Sequence, residues 1–78
     1  MKTYIKIELS GELCLSGELL STSDRLVSVK VNEPSKELVK GLFERETTFS
    51  VMTDYKGVER AIITIEREKI TDCQFEQK

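Results

Sequence analysis

The sequence contains no histidine. That removes the side chain most often used as a general base and the commonest metal ligand. Cysteine is scarce: Cys14 and Cys73 stand far apart, with no CxxC spacing. Spacing alone leaves two readings open, ordinary thiols in a reducing compartment or a disulfide tying the C-terminal segment to the second strand. No apolar run is long enough to span a membrane, and Met1-Lys2-Thr3-Tyr4-Ile5-Lys6 lacks the unbroken hydrophobic segment of a signal peptide. A soluble, intracellular (cytoplasmic) protein is expected. Positive charge is not in surplus: Lys and Arg number 12 against 14 Asp and Glu, a net charge of −2. That balance argues against a dedicated nucleic-acid surface, which needs clustered cations. Linkers and low-complexity runs are also missing, so the 78 residues read as one domain. A chain of this length hides only about 60% of its unfolded surface, which implies a small core.

What is present is β structure, organised around the stretch from Thr47 to Glu68. Asp54-Tyr55-Lys56-Gly57 carries Asp at the first and Gly at the fourth position of a type I turn, the signature of a three-residue hairpin loop closed by a left-handed glycine. With Tyr55, Lys56 and Gly57 as the loop, Asp54 faces Val58. Counting outward pairs Val51 with Ala61, Phe49 with Ile63 and Thr47 with Ile65, all on one face. A four-residue loop would set Val51 against Arg60 and place a charge in the core, so the hydrophobic pattern selects the shorter loop. Burying Phe49, Val51, Ile63 and Ile65 contributes roughly 1.5–3 kcal/mol each before entropy is subtracted.

From Thr3 to Leu19 apolar and polar residues alternate with period two, the mark of half-buried strands. A three-residue turn at Ser10-Gly11-Glu12 pairs Leu9 with Leu13 and Ile7 with Leu15. Leu9-Ser10-Gly11-Glu12-Leu13 recurs as Leu15-Ser16-Gly17-Glu18-Leu19. Two copies are too few for a solenoid, but Gly17 is a candidate bulge or kink. A turn at Ser21-Thr22-Ser23-Asp24 leads to a third strand, Arg25 to Val31, with Val27, Val29 and Val31 on one face. A helix is expected from about Ser35 to Arg45. Pro34 sits in its first turn, Asn32 or Glu33 caps it, and Leu38, Val39, Leu42 and Phe43 form its apolar stripe. Gly41 inside it signals either close packing on the sheet or a weak helix. Residues 71–78 read as a loosely held polar tail after a domain spanning 1–70.

The expected fold is therefore α+β and mostly β, in the order β-β-β-α-β-β. That order resembles the OB-fold. It also suits a small SH3-like barrel or a five-stranded antiparallel sheet with one helix on a face. Barrel closure is favoured because it hides strand edges.

Nothing here signals catalysis. Glu8, Glu12 and Glu18 share the outer face of the first hairpin, with nothing to hold one of them dry. The serines and threonines lack a base, and no Gly-rich turn is followed by a Lys-Ser/Thr pair. No cofactor or metal is expected. Two function classes remain. One is a non-enzymatic protein-interaction module: an adaptor, assembly component or inhibitor, self-associating or bound to another protein, of the size common among bacterial and phage accessory proteins. Its candidate contacts are Tyr4, Cys14, Leu20, Met52 and Ile62, an apolar set opposite the core face. The other is an OB-like single-strand nucleic-acid binder, with Lys6, Arg25, Lys30, Tyr55, Lys56 and Arg60 as contacts.

Overall fold

The computed structural model describes residues 2–10 and 12–77. Six strands and one helix follow in order: β1 (Thr3–Leu9), β2 (Leu13–Thr22), β3 (Leu26–Asn32), α1 (Lys36–Glu44), β4 (Thr48–Thr53), β5 (Glu59–Glu66), a 3-10 turn (Arg67–Lys69) and β6 (Ile70–Gln77). All neighbouring strands run antiparallel, in the spatial order β4-β5-β3-β2-β1-β6.

Both hairpins adopt the registers that keep charge out of the core. Leu9 faces Leu13 and Ile7 faces Leu15, although Gly11, in the middle of that turn, lies outside the described residues. Glu12 takes the left-handed position there, with φ 66°. In the second hairpin Val51 faces Ala61 and Phe49 faces Ile63. Gly57 closes its loop at φ 83°.

The sheet curls around its apolar face. β5 and β6 stand four positions apart, so a flat sheet would separate them by about 19 Å. The chain from Glu66 to Ile70 reaches at most about 14 Å. Curling brings the end of β5 within that reach of the start of β6, and Arg67 ties the connection to the β2–β3 turn: its backbone N–H bonds the Arg25 carbonyl at 2.8 Å, and its guanidinium bonds the Ser23 carbonyl and the Thr22 hydroxyl. Within the curl Ile5, Ile7, Leu9, Leu15, Val27, Val29, Val31, Ala61, Ile63 and Ile65 are buried, capped by Leu38 and Leu42 of α1. Arg45 ties the end of α1 to the first turn through the Ser10 carbonyl, 2.8 Å from Nε.

Several expectations are corrected. The sheet is open rather than a closed barrel: β4 and β6 are its edges, each with one neighbour. It has six strands, because residues 70–77 pair along β1 as β6 instead of forming a loose tail; Lys78 lies outside the described residues. The helix cap is Ser35, whose hydroxyl accepts from the Leu38 N–H at 3.1 Å. Pro34 therefore precedes the cap instead of occupying the first turn. Gly17 keeps regular pairing opposite Ile5, and the register shift falls between Leu19 and Ser21. Gly17 nonetheless marks a close approach: a Cβ there would strike the Lys30 carbonyl and the Val29 side chain. Gly41 lets α1 settle on Leu13, whose methyls would stand 2.9 and 3.0 Å from an added Cβ. Phe43 leaves the predicted apolar stripe and is exposed, while Val39 is half-buried. Cys14 and Cys73 are both free. Their alternation puts them on opposite faces, Cys14 across from Glu8 and Cys73 across from the buried Ile7, so no bridge joins them.

Candidate protein-interaction surface

The convex outer face carries the side chains that alternate away from the core. One row across it runs Tyr4, Glu18, Lys30, Ile62, Ser50. Tyr4 and Ile62 are half-buried in this row. Between them Lys30 Nζ lies 3.4 Å from a Glu18 carboxylate oxygen, and Lys2 approaches the same oxygen at 3.9 Å. Met52 faces Arg60 in the adjoining row, which makes it a diagonal neighbour of Ile62. Cys14 sits across from Glu8 near the first turn, and Leu20 is exposed at the register shift in β2. Of the five side chains read as an apolar contact set, the register joins Met52 with Ile62, and the Glu18–Lys30 pair stands between Ile62 and Tyr4.

The cations read as nucleic-acid contacts are dispersed. Lys6 and Lys30 are on the outer face, Arg25 lies in the turn between β2 and β3, and Tyr55 and Lys56 are at the tip of the second hairpin. Lys30 is matched by Glu18, and an Arg60 guanidinium nitrogen stands 3.5 Å from an Asp54 carboxylate oxygen. Lys56 Nζ rests 5.6 Å from the Tyr55 ring centre, a local cation–π contact at an exposed site.

The feature the residue pattern did not disclose is the edge formed by β4. Residues 47–53 are the longest uncharged stretch in the sequence, seven residues bounded by Glu46 and Asp54. That run was the available signal. Within it β4 reads Thr-Phe-Ser-Val-Met-Thr, without charge, proline or a register irregularity against β5. All of its residues except Phe49 are exposed. Folded proteins ordinarily guard such an edge with charge, proline or a bulge. The opposite edge, β6, carries exposed Asp72 and Glu76.

The direction of the free backbone groups follows from the turn. The Asp54 N–H donates to the Val58 carbonyl at 3.0 Å, so Asp54 and Val58 form a hydrogen-bonded pair. Such pairs alternate along an antiparallel ladder. Met52, Ser50 and Thr48 therefore bond inward to β5, while the N–H and C=O groups of Thr53, Val51 and Phe49 point out from the sheet. On the same side as the core, Phe49 adjoins an apolar groove that it lines with Pro34, Val39 and Phe43, with Lys36, Lys40 and Glu59 at its rim.

Among the described residues, no group of three or more Cys, Asp or Glu side chains is placed to hold a metal ion. No helix of the described residues is long and apolar enough to cross a membrane. The chain matches no protein-family model, no curated protein and no solved structure.

Proposed function

We propose that the protein is a small non-enzymatic interaction module that binds protein by strand addition at β4. The observation that carries this reading is the edge itself: an exposed, uncharged, unbulged strand with outward hydrogen-bonding groups at Phe49, Val51 and Thr53. An added strand satisfies those groups, and its alternate side chains enter the groove beside Phe49, Val39 and Phe43. Backbone bonding supplies affinity, and the groove supplies selectivity. Met52 and Ile62 extend the contact onto the outer face.

Parallel affinity capture with wild-type protein and Val51→Lys as baits tests the reading. Val51 is exposed at an edge, so the lysine leaves the fold intact while placing a guarding charge on β4. The expected result is a protein partner held by the wild type and released by the variant. Equal capture by both baits, or capture by neither of any protein, a second copy of this chain included, overturns it.

A further inference from the structure

We infer that the strand added at β4 is β4 of a second copy, paired antiparallel about a two-fold axis through Ser50; this rests on the strand-addition reading above. The sequence of β4 is self-complementary in that arrangement. With the axis perpendicular to the sheet, both copies present their core sides to the same face. Residues then pair by the parity already fixed: Phe49 opposite Val51 of the second copy, Val51 opposite its Phe49, and Ser50 opposite its own counterpart. Phe49 and Val51 are the residues whose backbone groups point outward, so these pairs close the new ladder. On the outer face Thr48 meets Met52. No charge lies in the paired segment.

Charge at the flanks does not choose the orientation. Glu44, Arg45 and Glu46 precede β4, and Asp54 and Lys56 follow it. Parallel pairing sets like charge beside like, and antiparallel pairing also sets Glu46 opposite Asp54 of the second copy, just outside the paired segment, with Arg45 and Lys56 as the neighbouring cations. Phe43, exposed on the flank of α1, then has a neighbouring copy alongside it. Pairing β4 with β6 of another copy would instead add subunits head to tail without closing. The Asp72 and Glu76 carboxylates on β6 oppose that growth. The result is a closed dimer with one continuous sheet of twelve strands, twice the six in each copy.

Six residues per strand make a small interface, so association is measured by light scattering and sedimentation from about 5 µM to about 500 µM. Val51→Pro removes an N–H that points outward and leaves the bonds to β5 in place. Ser50→Cys, in a chain with Cys14→Ser and Cys73→Ser, places two thiols across a non-hydrogen-bonded pair, where Cα atoms stand about 4.5 Å apart. The expected results are a wild-type dimer, an association constant at least about tenfold lower in Val51→Pro with an unchanged circular dichroism spectrum, and an intermolecular disulfide in Ser50→Cys under mild oxidation. A wild-type monomer throughout the range, or a dimer indifferent to Val51→Pro, overturns the inference. In the first case the capture experiment separates the two levels. A partner lost in Val51→Lys then sinks only the self-pairing, and the absence of one sinks strand addition as well.

Discussion

Val51 and Ala61 stand directly opposite each other on one face of the sheet, yet Ala61 is fully buried and Val51 is 43% exposed. The difference is one of neighbours. Ala61 lies on β5, between β4 and β3, whereas Val51 has a strand on one side only. At the far end of the same face Phe75 faces the buried Ile5 across the ladder and is itself 66% exposed. The core is set by position in the strand order as well as by residue type: Val51 and Phe75, one on each edge strand, lie opposite buried partners and stay exposed themselves.

β6 is therefore structural. Truncation after Lys69 removes the strand that pairs with β1 and leaves Ile5 and Ile7 at a new edge. Exposing them forfeits up to about 1.5–3 kcal/mol each, and about 4–8 °C of melting temperature accompanies each kcal/mol in a domain of this size. A fall of at least about 10 °C is expected in a thermal melt. An unchanged melting temperature would mean that residues 70–77 are not held.

The two hairpins were legible because error in them is expensive: a slip of one residue sets Leu9 against Glu12, or Val51 against Arg60, and drives charge into the core. β6 was not. Its apolar content is little more than Ile70, Cys73 and Phe75, and it is ordered by backbone pairing to β1, which side-chain periodicity does not report. Phe43 falls on the helical stripe by spacing, but α1 lies beside an edge strand, so nothing lies beneath that flank. The edge status of β4 depends on strand order, and edge and interior strands share the same period. Open versus closed was likewise undecided by element order, which suits both.

Gly17 and Gly41 both approach neighbours closely, and the nature of the neighbour predicts opposite outcomes. An added methyl at Gly17 meets the Lys30 carbonyl, a backbone group fixed in the ladder. Gly17→Ala should cost about 1–3 kcal/mol in chemical denaturation. At Gly41 the methyl meets the ends of two flexible side chains, the Leu13 methyls and the Arg45 guanidinium, which can rotate, and the helix gains up to about 1 kcal/mol from alanine. Gly41→Ala should lie within about 1 kcal/mol of the wild type. Equal losses at both positions would show that the contact at Lys30 is not rigid.

The Ser35 hydroxyl satisfies the Leu38 N–H, one of the donors left free at the start of α1. Ser35→Ala should lower stability by about 0.5–2 kcal/mol, while Ser35→Asp should retain it, since a carboxylate accepts the same bond and favours the positive end of the helix. A denaturation midpoint that Ser35→Ala leaves in place would remove the cap from the account of why α1 begins where it does.

Asp54 links the hairpin to pH. Its carboxylate Oδ1 accepts from the Val58 N–H at 3.0 Å and the Lys56 N–H at 2.8 Å, and Oδ2 lies 3.5 Å from Arg60. The Val58 bond foremost holds its pKa below the usual carboxylate value; desolvation, next in size, opposes it, and the Lys56 bond and the Arg60 charge add to the lowering. A folded-state pKa below the unfolded one adds stability in full above the unfolded value, about 3.9, and loses it as pH falls through the folded value. Asp54→Asn keeps an acceptor oxygen in the turn but never carries the charge. Thermal melts should therefore show the wild type more stable than Asp54→Asn at pH 7. The gap should narrow below about pH 4 and close once the wild-type carboxyl is protonated in both states. A gap of constant size down to acid pH would trace the difference to turn geometry alone, and the charge of Asp54 would then have no part in holding the hairpin that presents β4.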